Sequence, residues 1–161
     1  MSDIAFRQIG TIYSPYASTA DMPIQPRGAL GIPGRVEVFP EFAEGLKDLS
    51  GFSHLYLLYH FHRTMEMQLS VVPFLDSQAR GVFATRAPTR PNPVGLSVVR
   101  LREVRGNMLL VENLDILDGT PLIDIKPYVP AFDCWDVEST GWLGHKGPQA
   151  EATKSDDRFT E

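Results

Sequence analysis

The sequence predicts a mostly-β protein: a single small β-barrel with one main helix and a polar C-terminal tail. Short stretches with the alternation of strands recur along the chain, and thirteen prolines and thirteen glycines separate them, whereas one stretch alone has helical spacing. The glycine-rich segment GALGIPG (residues 28–34) lacks both the G-x-G-x-x-G spacing and the strand-to-helix context of a dinucleotide-binding fold. These observations favour a barrel or a strongly coiled sheet over a doubly wound fold.

The first third of the chain contains two predicted strands, a loop and the helix. Residues 5–14 and 35–39 are rich in β-branched and aromatic side chains, which is typical of strands. Residues 15–34 between them are dense in proline and glycine, so we expect a long loop. Residues 40–49 begin with a proline, carry early acidic residues and space their apolar residues helically, which predicts the main helix.

The remainder is predicted to be almost entirely β-structure. Residues 53–64 form a near-continuous apolar and aromatic run whose length favours a buried strand. Residues 96–117 predict a hairpin that turns at Gly106 and Asn107, and residues 121–130 alternate as a further strand.

Composition places bounds on domain number and location. A chain of 161 residues suits one domain, which we assign to residues 1–135, followed by a tail of residues 136–161 that drapes over the body or over a partner. Cys134 is the sole cysteine, which fits the reducing cytoplasm. The chain starts without a signal-peptide pattern and no apolar run is long enough for a bilayer, so we expect no membrane association. The net charge of −5 argues against a general nucleic-acid coat but leaves room for a local basic face.

Between Gly81 and Leu101 a loop with three prolines interrupts two strand-like ends and carries Arg86 and Arg90. Proline fixes φ and stiffens the chain, and a stiff loop can hold arginine forks ready for a carboxylate or a phosphate. The alternative is that the prolines end edge strands and that the arginines face water, and composition alone does not decide between the two.

Asp124, Lys126 and Tyr128 alternate along one predicted strand, so their side chains share a face, and Asp118 stands in the turn before it. An acid, an amine and a phenol in a row can position and deprotonate a substrate. An exposed ion pair of under about 1 kcal/mol explains the same pattern equally well.

His60, His62 and Glu66 match H-x-H-x3-E, half of the metal-binding signature of cupin barrels. The glycines of that signature are replaced by His54 and Pro73, and His145 in the tail is the remaining candidate for a third imidazole. We therefore favour partly packed histidines at a strand end and expect no metal site.

Three segments together carry a more specific signal: GFSHLYLLYHFHR, GVFATRAPTRPNPVGLS and LDILDGTPLIDIKPYVP. In this order they resemble the TsaA-like family, also called the TrmO family, of tRNA N6-threonylcarbamoyladenosine methyltransferases. The resemblance extends over residues 6–130. It implies a cytoplasmic, homodimeric β-barrel that binds S-adenosyl-L-methionine and methylates N6 of threonylcarbamoyladenosine at position 37, in the anticodon loop of a tRNA.

The resemblance also implies site residues. Arg63 departs from the family pattern, in which a glutamine can stand at that position. The cofactor-binding positions fall on Pro26, Arg27, Gly28, His62, Arg63, Arg86, Leu96, Glu112, Asn113, Leu114 and Asp115. We assign catalysis to Asp118, Lys126 and Tyr128, and contacts with the anticodon loop or modified base to Arg90 and Asn92.

Three further hypotheses remain open: a cofactor-dependent methyltransferase acting on a small molecule, a non-catalytic barrel that binds the cofactor, and, less favoured, a cupin-like metal barrel.

Overall fold

The alternating strands close into an antiparallel six-stranded barrel in this computed structural model, which describes residues 3–159. The barrel order is β1-β2-β7-β6-β3-β8, and β8 pairs back onto β1, so no barrel edge is left unpaired. The prediction of a mostly-β barrel is confirmed. The strands are β1 (Gly10–Tyr13), β2 (Pro33–Val38), β3 (His54–His60), β4 (Ser70–Val71), β5 (Arg80–Gly81), β6 (Val94–Arg105), β7 (Met108–Glu112) and β8 (Thr120–Pro127).

The predicted hairpin is the β6–β7 pair, which turns at Gly106 and Asn107 with Arg105 opposite Met108. Gly106 has a φ of 61°, a left-handed conformation that glycine adopts without steric strain. The twelve residues of β6 pair with β7 at one end and with β3 at the other, so this strand spans the side of the barrel next to the candidate site.

The period-two pattern of β3 decides which side chains form the core. Leu55, Leu57 and Tyr59 point inward and are buried, whereas Tyr56 and His60 point outward. Neighbouring strands contribute further inward-facing apolar residues to this core: Ile12, Val36, Val38, Val99, Leu109, Val111 and Leu122.

The prediction of one main helix was wrong in helix type. Residues 40–49 form a 3₁₀-helix over Pro40–Leu46, followed by a separate short turn, Leu49–Gly51. Lys47 is extended and Asp48 is left-handed, with a φ of 65°, so the helical hydrogen bonds do not continue between the two. The described α-helix is instead the four-residue α1 (Pro130–Asp133) after β8.

The C-terminal segment folds back onto the barrel. A kinked 3₁₀ stretch, Gly141–Glu151, packs on the turn Pro26–Ala29, and Lys154 forms a β-bridge with Pro23. Phe159 is buried in a small second cluster with Val71, Val82 and Ala87. Within residues 3–159, no helix combines the length and apolar character needed to cross a bilayer.

Alanine substitutions at two glycines, one closely packed and one open, test the packing of the barrel strands. A Cβ at Gly10 would overlap the carbonyl oxygen of Glu37 on the paired strand, whereas a Cβ at Gly45 would meet no atom within 4 Å. We expect Gly10→Ala to lower the free energy of unfolding by about 1–3 kcal/mol. Gly45→Ala should leave it unchanged or raise it by less than about 1 kcal/mol. Urea denaturation of both variants measures the difference, and equal stabilities would contradict the close approach of β1 and β2.

Candidate active site

The loop between β5 and β6, residues 82–93, is here called the proline loop, and it is held rigid from inside. Arg90 donates hydrogen bonds from Nη1 to the carbonyl oxygens of Val82, Thr85 and Ala87, over 3.2, 2.9 and 3.2 Å. Its three prolines add fixed φ angles. The stiffness of this loop was predicted from its prolines. The hydrogen bonds from Arg90 were not predicted, because Arg90 was assigned to contacts with the substrate, whereas its Nη1 is bonded within its own loop.

Beside the proline loop lies the first cavity, with a volume of about 330 Å³. Its walls come from the beginning of β6, the loop of residues 19–25, the residues that precede β8, and the C-terminal segment. Of the residues assigned from the sequence, those that line it are His62, Arg63, Arg86, Arg90, Leu96 and Asp115.

A buried chain of hydrogen bonds ends at this cavity. Ser97 Oγ donates to Asp115 Oδ1 over 2.6 Å, and Tyr59 OH lies 3.0 Å from Ser97 Oγ. Because Ser97 Oγ has one proton and donates it to Asp115, the Tyr59 hydroxyl is the donor in its bond with Ser97. Burial raises the pKa of Asp115 from 3.8 to about 6, although the bond from Ser97 lowers it, and burial also raises the pKa of Tyr59.

Arg86 brings the opposite charge to the same cavity. Its Nη1 donates to Gln25 Oε1 over 3.0 Å, and among the described residues no carboxylate lies within ion-pair distance of it. Its positive charge acts to lower the pKa of Asp115. The cavity therefore offers a buried carboxylate and a guanidinium without an ionic partner, which suits a ligand that carries both an anionic group and hydrogen-bond donors.

His62 follows the end of β3, so it does not continue the strand face of His60 as the metal hypothesis required. Its Nδ1 lies 3.4 Å from Thr120 Oγ1, and burial, then the charges of Arg63 and His60, lower its pKa. The neutral imidazole is favoured as a result. Within residues 3–159, no three His, Cys, Asp or Glu side chains are grouped as metal ligands.

The other residues of the cofactor set do not line the cavity. Gly28 lies against the C-terminal segment, where a Cβ would come within 2.9 Å of the carbonyl oxygen of Glu151. Asn113 is left-handed, with a φ of 68°, and its Oδ1 accepts a hydrogen bond from the Gly31 amide over 2.9 Å. This bend turns the chain so that Asp115 faces the cavity. Pro26 and Arg27 belong to the same 3₁₀ turn as Gly28, Glu112 pairs with Arg102 over 3.4 Å, and Leu114 is fully buried.

The residues assigned to catalysis are not among those that line the first cavity within one chain. Asp118 Oδ1 accepts from the Ser14 amide over 2.9 Å, in the turn before β8. Lys126 pairs with Asp124 over 2.7 Å on the outer face of the barrel, so the two share a face as predicted. Tyr128 lies 3.0 Å from Cys134 Sγ and contacts the Tyr56 ring. Asn92, assigned to the substrate, is exposed on the proline loop.

Tyr59, Ser97 and Gln25 hold the two charged groups of the site and were not predicted from the sequence. A signal for Ser97 was available, because β6 places it at an inward position among apolar residues, where a serine needs a buried partner. Ser155, Asp156 and Phe159 of the C-terminal segment also line the cavity. No local pattern predicted this, since it depends on how the chain end folds back.

Comparison with known proteins shows which family this arrangement belongs to. The model of the tRNA-methyltransferase O N-terminal domain matches residues 11–134. The chain belongs to the TrmO family. It is 54% identical over 156 residues to a probable S-adenosyl-L-methionine-binding protein of Pyrococcus abyssi, covering 97% of this chain and 85% of the relative. The family, methyltransferase class and cofactor predicted from the sequence are thereby confirmed.

A second relative of the TrmO family is named for its reaction. The chain is 42% identical over 165 residues to the tRNA (adenine(37)-N6)-methyltransferase of Escherichia coli, covering 96% of this chain and 70% of that protein.

Solved TrmO structures share the fold. A crystal structure of TrmO superposes with a TM-score of 0.75 at 39% identity, covering 87% of this chain and 64% of that one. The TrmO of Pseudomonas aeruginosa gives a TM-score of 0.74 at 37% identity, covering 89% and 62%. The chain thus spans somewhat less than two-thirds of the length of these solved chains.

The raised pKa of Asp115 makes stability depend on pH. Between its ordinary value of 3.8 and about 6, the folded state keeps a proton that the unfolded state has lost, so stability falls across this window as pH rises. Above pH 6 the full penalty, about 3 kcal/mol, is present. We expect Asp115→Asn, which retains an acceptor for Ser97, to be more stable than the parent by up to about that amount at pH 7.5 and by only about 1 kcal/mol at pH 4.5, where the carboxyl is still protonated in the folded state but mostly ionised in the unfolded state. Urea denaturation at both pH values measures this, and a pH-independent difference would contradict the buried carboxylate.

Proposed function

We propose that this protein transfers a methyl group from S-adenosyl-L-methionine to the N6 nitrogen of threonylcarbamoyladenosine at position 37 of a tRNA. The observation that carries the proposal is that the buried Asp115 carboxylate and the Arg86 guanidinium line the same cavity. Support for the acceptor comes from the similarity to the E. coli tRNA (adenine(37)-N6)-methyltransferase along 96% of the chain. Such a reaction takes place where tRNA is modified, in the cytoplasm.

The donor groups of the first cavity fit the cofactor. S-Adenosyl-L-methionine carries a carboxylate, an ammonium group, ribose hydroxyls and an adenine. Arg86, with Arg63 at the cavity wall, would hold the carboxylate. Asp115 would accept from the ribose or the ammonium group, and Leu96 would provide an apolar wall for the adenine. The volume of about 330 Å³ lies at the lower end of the usual range for ligand pockets.

The cofactor supplies a sulfonium-activated methyl group when bound, and the protein has to position and activate the acceptor. The N6 nitrogen belongs to a urea and carries a proton, so it is a weak nucleophile that gains from a nearby proton acceptor. We retain Asp118, Lys126 and Tyr128 as the groups for this task. Within one chain they do not line the first cavity, so Lys126 and Tyr128 need a second copy of the protein to reach one.

A homodimer would supply that second copy, and the outer face of β3, β6 and β8 has the character of its interface. Leu96, at the edge of the first cavity, is 50% exposed on this face, where Tyr56 contacts Tyr128. Next to them, α1 and the residues after it expose Phe132 and Trp135, at 73% and 82%. Contiguous exposed apolar patches mark interaction sites, and aromatic side chains are enriched in protein interfaces. A two-fold interface here would carry Lys126 and Tyr128 of one copy toward the Leu96 edge of the other.

The test of function is a methylation assay with purified protein. We expect labelled S-adenosyl-L-methionine to transfer its methyl group to a tRNA that carries threonylcarbamoyladenosine at position 37, with the methylated nucleoside identified by mass spectrometry after digestion. The same tRNA with unmodified adenosine 37 is the matched control and should remain unlabelled. Cofactor binding without transfer to either RNA would support the small-molecule or the non-catalytic hypothesis instead.

Two arginine variants of the purified protein test which residues bind the cofactor. Arg86→Ala removes a guanidinium from the cavity wall and should weaken cofactor binding by about 10-fold or more, as expected for a charge-assisted hydrogen bond. Arg27→Ala, on the 3₁₀ turn outside the lining, should have a smaller effect. Calorimetric titration of both variants measures their affinity for S-adenosyl-L-methionine. Equal affinity of Arg86→Ala and the parent protein would show that Arg86 is not part of the cofactor site.

The dimer proposal predicts oligomeric state and shared sites. Light scattering should give about twice the chain mass of 18.0 kDa for the parent protein and 18.0 kDa for Trp135→Glu, while Phe6→Glu, at another exposed aromatic residue, stays dimeric. Arg86→Ala and Lys126→Ala should each be inactive alone, and their co-expressed mixture should regain about a quarter of the activity, since half of the dimers carry one intact shared site. A monomeric parent protein, or a mixture without activity, would contradict the shared site.

A further inference from the structure

A second cavity, of about 520 Å³, adjoins the first on the other side of Arg86. The two share Gln25, Thr85 and Arg86 as a common wall, so ligands in them would lie side by side. The second cavity is enclosed by the proline loop and by the C-terminal segment, which contributes Trp142 and Phe159. Trp142 lies outside the part of the chain that the TrmO domain model matches, residues 11–134.

Aromatic rings dominate this cavity. Phe83, on the short turn Val82–Ala84, is 73% exposed although it belongs to the lining. Trp142 is fixed opposite the same turn, because its Nε1 donates to the carbonyl oxygen of Ala84 over 2.7 Å. Deeper in, the rings of Phe74 and Phe159 meet edge to face, with centroids 5.3 Å apart. The cavity thus has an open aromatic mouth and an apolar floor.

The side chains around this cavity are more positive than those of the acidic chain as a whole. Among the described residues that line it, Arg86 is the one charged side chain, and no acid is present. Next to Trp142, the Arg80 guanidinium lies 5.8 Å from the ring centroid. Arg80 and Lys146 share the carboxylate of Asp76, over 2.7 and 3.4 Å, which leaves local positive charge in excess. The hydrogen bond from Arg80 holds the pKa of Asp76 low, at about 2, so this carboxylate stays ionised.

We propose that the second cavity takes the unstacked purine base of the acceptor nucleoside in an RNA loop, between Phe83 and Trp142. The inference rests on the proposed function, because methyl transfer needs donor and acceptor to meet across a common wall. Aromatic side chains are the usual platforms for a base taken out of its stack, and nearby cations attract the flanking phosphates. The Arg80–Lys146 rim provides such cations on a chain whose net charge is −5.

The test measures RNA binding separately from methyl transfer. An anticodon stem-loop RNA with fluorescent 2-aminopurine at the acceptor position reports both affinity and stacking, since its emission is quenched when the base stacks on an aromatic ring. We expect Phe83→Ala and Trp142→Ala each to weaken RNA binding by about 5- to 100-fold and to reduce the quenching. Trp142→Phe, which keeps a ring but loses the bond to Ala84, should lose much less affinity.

Phe6→Ala is the matched control, because Phe6 is 65% exposed and lines neither cavity. S-Adenosyl-L-methionine affinity within about twofold of the parent protein shows that the variants keep the fold of the neighbouring first cavity. Parent-like RNA binding by both alanine variants, or no RNA binding by the parent protein, overturns the inference. Weakened binding in both, without methylation by the parent protein, leaves the base site intact and overturns the proposed reaction instead.

Discussion

The buried carboxylate of Asp115 is the feature around which the candidate site is organised. A charged group removed from water is stabilised only through hydrogen bonds or a counter-charge, and here one bond comes from Ser97 while Arg86 acts across the cavity. The raised pKa shows that these partners do not fully offset the desolvation. Buried charges with perturbed pKa values cluster at functional sites, and the first cavity is the space that this one faces.

The surrounding structure serves to hold this group in place. Tyr59 donates to Ser97 from inside the barrel, and Gly95 makes room for the tyrosine, because a Cβ at Gly95 would overlap the Tyr59 ring. The left-handed Asn113 turns the chain just before Asp115. The closed barrel gives these residues fixed positions, since each of its strands is paired on both sides.

The proline loop and the C-terminal segment divide the space outside the barrel mouth into two adjoining cavities. Arg90 fixes the loop from inside, and Trp142 ties the C-terminal segment to it through the carbonyl oxygen of Ala84. The proline loop carries Arg86 and Arg90 and no acidic residue, although the chain as a whole is acidic. Distribution rather than net charge is therefore what makes an RNA acceptor compatible with this protein.

The barrel, most of its strands, the hairpin at Gly106–Asn107 and the family could be predicted from the sequence, because alternation, turn residues and long motifs are local signals. Arg86 and Asp115 were also predicted as site residues, and the structure places both at the first cavity. The structure was needed to show that Arg90 clamps its own loop, that Lys126 and Tyr128 face outward, and that residues 40–49 form 3₁₀ turns. The C-terminal segment, expected only to drape over the body or a partner, becomes a wall of both cavities. The walls built by the C-terminal segment depend on contacts between residues far apart in the chain, and no local pattern of residues encodes such contacts. The Arg90 hydrogen bonds join residues only three to eight positions apart, but they depend on a loop conformation that the residue pattern did not specify.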